Sequence, residues 1–190
     1  MKNARQAVAQ ALLQVFQEGA YSNLVMDRLQ GYLDPRDAAF AQALFRGVLE
    51  RAVTLDWAMG CFSKTPPARM TPAVRELLRC GFYQILYMPS VPPSAAVNET
   101  VALTRTLGVG SASGFVNGVL RAFLRADEKF PLPRDPLTAT AVASGIPAPL
   151  IRLWRKSYGP EATQEMLEEM CIRDRSQRDP QGRRPGACAG

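Results

Sequence analysis

Apolar residues recur at helical spacing along most of the first 126 residues. Near the end of this region, one side of a helix is marked by Phe115, Val116, Val119, Leu120, Phe123 and Leu124. Asn117, Arg121 and Arg125 are spaced four residues apart along another side. The pattern predicts a helix with one face for the core and a polar face for solvent or a ligand.

Earlier segments predict helices joined by short loops. We expect helices over residues 3–18 and 21–33, with Gly19 ending the first. Asp34-Pro35 supplies a capping residue and a first helical residue. The residues that follow, 38–59, are apolar on nearly every side. We therefore predict that they form a single central helix at the hub of a bundle.

Proline and glycine divide the next part of the chain. Pro66-Pro67 breaks the helical pattern, and Thr71-Pro72 restarts it as the cap and first residue of a helix reaching about residue 88. Another helix is predicted over residues 94–107, closed by Gly108. No segment alternates convincingly with period two, so the predicted fold class is all-α, a helical bundle over residues 1–126.

Composition changes after the bundle. Residues 127–149 hold five prolines and Gly145, a composition typical of an extended, semi-rigid linker. Residues 150–169 predict two short amphipathic helices whose apolar surface is too small for a core, as expected for the start of a larger domain.

The last segment, residues 170–190, differs from the rest of the chain in its sequence pattern. Residues 170–190 begin with a stretch that resembles a translated sequencing adapter, and they then lose apolar periodicity. We predict a non-native or disordered tail; the alternative is a native, basic, disordered tail that binds RNA.

Several classes of chemistry are disfavoured by composition. The chain has no histidine, and its four cysteines form no Cys-x-x-Cys pair, so we expect neither a metal site nor an imidazole base. Cys61 and Cys80 are interpreted as small core residues. No stretch is long and apolar enough for a signal peptide or a membrane span, and the expected location is cytoplasmic.

The charge is moderately basic. The net charge is +6, and residues 1–126 carry thirteen basic and eight acidic residues. This distribution is compatible with RNA or DNA binding, and equally with a solvated surface that keeps the protein in solution.

Short motifs in register resemble the NusB family of RNA-binding helical domains. They are Arg46-Gly47-Val48-Leu49-Glu50, Leu78-Arg79 with Gly81 and Tyr83-Gln84, Pro92 with Ala95-Ala96-Val97-Asn98-Glu99, and Phe115-Val116-Asn117-Gly118-Val119-Leu120. The resemblance covers residues 1–126 and implies a helical RNA-binding domain.

Two branches of that family differ in what they imply. One branch is the amino-terminal domain of bacterial 16S ribosomal RNA cytosine-C5 methyltransferases of the RsmB (Sun/Fmu) type. Similarity to this branch is favoured by Arg121 and by the sparse basic residues at the amino terminus. It is also favoured by Leu55-Asp56-Trp57, Ile146-Pro147, Leu153-Trp154 and Tyr158-Gly159. This branch implies S-adenosylmethionine and a cysteine nucleophile in a catalytic half that the sequence does not include. The alternative is a transcription antitermination factor that binds RNA and a ribosomal protein.

Candidate RNA contacts are the basic and polar residues of the amino terminus and of the last bundle helix: Lys2, Arg5, Asn117, Arg121 and Arg125. Ribosomal RNA is the expected partner, and no catalytic residue is assigned. Structural interpretations compete with these roles. Asn117 more often fixes a helix start or a loop, and Gly118 is expected to permit close helix packing. Asn98 and Glu99 are expected to have a structural role near a helix start, through capping and the helix dipole.

Overall fold

The structure is a computed structural model that describes the backbone of residues 4–178 and the side chains of residues 4–31 and 33–170. Within that part of the chain, ten α-helices follow one another and no β-strand occurs. They are α1 Ala4–Glu18, α2 Ser22–Tyr32, α3 Pro35–Glu50, α4 Ala52–Phe62, α5 Pro72–Tyr87, α6 Pro93–Thr106, α7 Ser113–Arg125, α8 Pro136–Ser144, α9 Ala148–Tyr158 and α10 Pro160–Arg178. The predicted all-α bundle is confirmed.

Helix α5 is the hub of the bundle. Every residue from 76 to 85 is buried, and α1, α3, α4, α6 and α7 pack against it. On one side, Phe82 stacks on Phe123 of α7 with ring centroids 4.6 Å apart. The prediction that residues 38–59 form the hub is therefore wrong.

Residues 38–59 are also divided between two helices. The break lies at Arg51, whose backbone leaves helical geometry at φ −107° and ψ 13° while its N–H still donates to the carbonyl of Gly47. Helix α3 packs against α1, α2 and α5, whereas α4 packs against α5, α7 and α8. The predicted single helix is replaced by two because the two apolar halves are buried against different neighbours.

Local signals for helix ends are confirmed at several positions. The carboxylate of Asp34 accepts hydrogen bonds from the backbone N–H groups of Arg36 and Asp37, at 3.1 and 3.0 Å. Gly19 and Gly108 adopt left-handed conformations after α1 and α6, with φ of 69° and 73°. Of these residues, Gly108 sets the end of α6, one of the two helices that carry the candidate site.

The region predicted as an extended linker contains a helix. Asp135 caps α8 by accepting a 2.8 Å hydrogen bond from the N–H of Thr138, and Gly145 ends it with φ 79°. Ala141 and Val142 are buried, and α8 packs on α4. The expectation of an extended conformation is wrong for residues 136–144, because an Asp-Pro helix start is followed by apolar residues that find a surface on α4.

The two amphipathic helices expected after the linker are α9 and α10. Their residues Ile151 and Leu167 are buried in a small cluster with Ala141 and Ile146 of the preceding segment, and Val53 of α4 packs against it. Part of their apolar surface is thus covered within this chain. Helix α10 continues to Arg178, which enters the segment predicted as a tail.

Residues 179–190 lie outside the described residues. The assignment of residues 170–190 as a non-native tail stays a prediction, as does the division of the chain into domains.

Candidate nucleic-acid interface

Helices α6 and α7 together build the candidate interface. After α6 ends, the left-handed Gly108 and a short 3₁₀ turn at Gly110–Ala112 reverse the chain. Helix α7 then returns along α6, so that its last turns lie beside the first turns of α6. Residues far apart in the two helices are thereby brought to one surface.

The two faces predicted for α7 are present. Val116, Val119, Leu120 and Phe123 are buried, and Phe115 and Leu124 are partly buried against the core. On the other side Asn117 is half-buried, while Arg121 and Arg125 are exposed. The core face anchors the helix and leaves the basic face open to solvent.

Arg121 is held in place by its own helix. Its Nε donates a 2.8 Å hydrogen bond to Oδ1 of Asn117, one turn earlier. A guanidinium has five N–H donors, so this bond leaves most of its donors for other acceptors. Asn117 lies in the second turn and orients an arginine, so the interpretation that it fixes a helix start or a loop is wrong.

A surface groove runs between α6 and α7. It is lined by Ser94, Val97, Asn98, Arg121 and Leu124. Val97 is buried and Leu124 is partly buried, whereas the other three lining residues are exposed. The groove therefore combines an apolar floor with an amide, a hydroxyl and a guanidinium.

Sequence analysis missed two residues of this groove. Ser94 and Asn98 are four residues apart on α6, the spacing that places them on one helix face. Helix α6 begins at Pro93, so Asn98 and Glu99 lie beyond its first turn. The expectation that they serve capping is therefore wrong.

Gly118 does not pack closely against another helix. A Cβ atom built at Gly118 would have nothing within 4 Å, so the predicted role in helix packing is wrong. Close packing occurs instead at Gly81, where a Cβ would lie 3.0 Å from the Leu120 side chain, and at Gly47, where it would overlap the ring of Tyr83.

Arg5 is engaged inside the bundle. Its Nε donates a 2.6 Å hydrogen bond to Oε1 of the buried Gln84, and its guanidinium carbon lies 4.7 Å from the centroid of the Phe40 ring. Arg5 therefore links α1 to α5 and α3. Lys2 lies outside the described residues. The structure brings three of the five predicted contact residues together, on one face of α7.

Arg79, from the Leu78-Arg79 motif, is buried in an ionic cluster. Its guanidinium donates to both carboxylate oxygens of Asp56, at 2.8 and 2.6 Å, and to both of Glu76, at 3.0 Å each. It also lies over the ring of Phe16 at 4.3 Å. Burial raises the pKa of Glu76, although hydrogen bonds from Arg79 and Arg75 oppose that change. Arg79 therefore ties α1, α4 and α5 together, which is an architectural role.

The two cysteines whose side chains are described differ in environment. Cys80 is buried, as expected, but Cys61 is exposed, so its assignment to the core is wrong. Burial raises the pKa of the Cys80 thiol, and partial desolvation raises the pKa of the Cys61 thiol, which disfavours the reactive thiolate in both. Among the described side chains, no group of three or more cysteine, aspartate or glutamate residues is arranged to hold a metal ion.

No helix of the described residues is both long and apolar enough to cross a membrane.

A protein-family model and several relatives match most of this chain. The model of the NusB family matches residues 2–125. The chain is 30% identical over 167 residues to a probable ribosomal RNA small subunit methyltransferase B of Bacillus subtilis, covering 86% of this chain and 37% of that protein. It is 32% identical to the Synechocystis protein of the same description, covering 87% and 38%. It is 33% identical to ribosomal RNA small subunit methyltransferase B of Escherichia coli O1:K1, covering 88% and 38%.

The chain thus spans little more than a third of the length of these relatives. Among solved structures, one described as the crystal structure of a plectonemic RNA supercoil contains a similar chain, with a TM-score of 0.62 and 20% identity. The match covers 68% of this chain and 96% of that chain, and at this identity it supports the fold alone.

Proposed function

Because the chain belongs to the NusB family, we propose that it is the RNA-binding part of an S-adenosylmethionine-dependent ribosomal RNA cytosine-C5 methyltransferase of the cytoplasm. It holds ribosomal RNA for a catalytic part that lies outside these 190 residues. The observation that carries this proposal is the extent of the similarity to the methyltransferase B proteins. A match over 86–88% of the chain exceeds what residues 2–125 can supply, so it continues into the segment that folds as α8 to α10.

The basic face of α7 is the part of the surface that we assign to RNA. Arg121 and Arg125 are exposed one turn apart, at the spacing at which both can contact phosphates of one strand. The neighbouring groove offers the partly exposed apolar side chain of Leu124 to an unpaired base, and Asn98 offers donors and an acceptor to its edge. Single-stranded ribosomal RNA fits this combination.

The chemistry of methyl transfer belongs to the part outside this chain. S-adenosylmethionine supplies the methyl group in such a reaction, and a thiolate supplies the nucleophile. Cys80 is buried with a raised pKa, and Cys61 also has a raised pKa. Neither thiol suits nucleophilic attack, so we assign no catalytic or cofactor-binding role to them.

A salt series tests the RNA-binding surface. The probes are unmodified bacterial small-subunit ribosomal RNA made by transcription and a single-stranded RNA of mixed sequence. Replacing Arg121 and Arg125 by Ala should weaken binding, and the slope of log K against log salt should become shallower by about 1.4, because two phosphate contacts are lost at about 0.7 each. A charge-matched control replaces Arg28 and Arg36, which are exposed on α2 and α3.

The control should keep the slope of the unsubstituted chain. If both double variants bind with the same slope, the basic face of α7 is not the RNA surface. If the unsubstituted chain binds neither RNA but retains a ribosomal protein in a pull-down, the bundle is a protein-interaction module of the antitermination type.

A further inference from the structure

The carboxyl-terminal end of α8 is capped by side chains from the junction between α3 and α4. The last turn of a helix leaves carbonyl groups without partners inside the helix. Here the hydroxyl of Thr54 donates a 2.6 Å hydrogen bond to the carbonyl of Val142 in a buried position. Nη1 of Arg51 donates at 3.2 Å to the carbonyl of Ala143, where its positive charge also faces the negative end of the helix dipole.

The backbone that follows α8 is pressed against the same junction. Gly145 ends α8 in a left-handed conformation, with its own N–H donating to the carbonyl of Ala141. A Cβ atom at this position would lie 2.5 Å from the carbonyl oxygen of Glu50, the last residue of α3. Only glycine meets both requirements, the left-handed conformation and the close approach.

The segment before α8 is tied to the bundle as well. The indole Nε1 of Trp57 donates a 2.7 Å hydrogen bond to the carbonyl of Pro131. The neighbouring ring of Phe130 lies against Phe123 of α7, with centroids 6.4 Å apart. Residues 130–146 are therefore attached to the bundle at both ends, by contacts to α4, α7 and the end of α3.

Helices α9 and α10 are in turn packed on this segment. Ala141 and Ile146 bury Ile151 of α9 and Leu167 of α10, and Val53 of α4 lies against the same cluster. The orientation of α9 and α10 is therefore transmitted to the bundle through residues 130–146.

We propose that residues 130–146 are a rigid strut, and that Thr54, Trp57 and Gly145 are positioning residues that hold α9 and α10 at a fixed orientation to the basic face of α7. The functional consequence rests on the proposed function. In a methyltransferase whose RNA-binding and catalytic parts meet through this strut, the fold would set the distance between the bound RNA and the reacting base. A misplacement of about 1 Å can lower a rate by about a hundredfold, so a rigid connection selects the target nucleotide better than a flexible one.

A pulsed electron resonance measurement on the whole chain tests the strut. Spin labels are attached to cysteines introduced at Ala102 of α6 and Lys156 of α9, both exposed. Cys61, Cys171 and Cys188 are replaced by Ser, and the buried Cys80 is kept. We expect a single narrow distance distribution without RNA, so the result does not depend on whether the chain binds RNA.

Two matched pairs of variants separate positioning from general stability. Thr54→Ser keeps the hydroxyl donor and should keep the narrow distribution, whereas Thr54→Val removes the donor and should broaden it. Gly145→Ala should broaden it too, while Gly108→Ala should not, because Gly108 is also left-handed but has open space where a Cβ would stand. Circular dichroism must report unchanged helix content in each variant that is compared.

A broad distribution in the unsubstituted chain would overturn the proposal. Equal widths within both pairs would overturn it as well, because the capping hydroxyl and the close approach of Gly145 would then not hold α9.

Discussion

Replacing Gly47 by Ala should destabilise the protein, although alanine is the better helix former. Gly47 lies in the last turns of α3, where its missing side chain leaves room for the aromatic ring of Tyr83 on α5. A Cβ at this position would overlap Cζ, Cε2 and the hydroxyl oxygen of that ring. Tyr83 is 3% exposed, and its ring contacts Tyr87 at 5.1 Å, so it has little space into which to move.

The expected magnitude follows from comparison with Gly118. An alanine inside a helix is favoured over glycine by about 0.5–1 kcal/mol, and both substitutions share this gain. A Cβ atom at Gly118 would have nothing within 4 Å, so Gly118→Ala should stabilise the chain by about that amount. Gly47→Ala additionally overpacks the core, which costs about 1–3 kcal/mol. At about 2–4 °C per kcal/mol for a chain of this size, the two melting temperatures should differ by about 2–12 °C.

Urea and thermal unfolding followed by circular dichroism measure this difference. A double variant, Gly47→Ala with Tyr83→Leu, removes the overlapping ring. Its loss of stability should therefore be smaller than the sum of the losses in the two single variants. If Gly47→Ala is as stable as Gly118→Ala, or if the double variant shows no coupling, the ring of Tyr83 does not restrict position 47 and the proposed packing of α3 on α5 is wrong.

Two further predictions concern Arg5 in α1 and Asp135 at the start of α8. Arg5→Ala should lower the free energy of unfolding by about 1–3 kcal/mol, since it removes a charged hydrogen-bond donor from the buried Gln84. It should leave the salt dependence of RNA binding unchanged; a changed salt slope would instead return Arg5 to the RNA surface. Hydrogen bonds from the side chain and backbone of Thr138 lower the pKa of Asp135, so its contribution to α8 is present above its ordinary pKa and is lost as pH falls through the lowered value. In the unsubstituted chain, the amide exchange rate of residues 136–144, corrected for the intrinsic rate, should rise as the pH falls through the lowered pKa of Asp135. In Asp135→Ala this pH dependence should be absent. Equal pH dependence in both proteins would contradict the capping role.

Helix boundaries that depend on local chemistry could be predicted from the sequence. Asp34-Pro35 starts α3 as expected, and Gly19 and Gly108 end their helices in left-handed conformations. These signals act within a few residues, so they persist whatever the tertiary structure. The division of residues 38–59 could not be predicted, because Arg51 carries no glycine or proline signal and the two halves separate only when each finds its own neighbours.

The candidate site shows the same limit. The apolar and basic faces of α7 follow from one helical period, and they are present as predicted. The hydrogen-bond partners of Arg79 and Arg5 do not follow from the helical period. Arg79 pairs with Asp56, 23 residues away, and Arg5 donates to Gln84, 79 residues away. The charge pattern of the sequence suggests which arginines are candidate RNA contacts, but the tertiary structure determines whether each one faces the core or solvent.

Two of the wrong predictions concern features that meet at one place in the structure. The break at Arg51 and the unexpected helix α8 meet at one place, where the side chains of Arg51 and Thr54 cap carbonyls 92 and 88 residues away. The break places Arg51 at the start of α4, from which its side chain reaches Ala143, and it leaves the carbonyl of Glu50 against Gly145. A continuous helix over residues 38–59 would bring α4 onto the axis of α3 and separate these groups. The contacts with α8 require the broken arrangement, whereas the apolar period along residues 38–59 is compatible with either one.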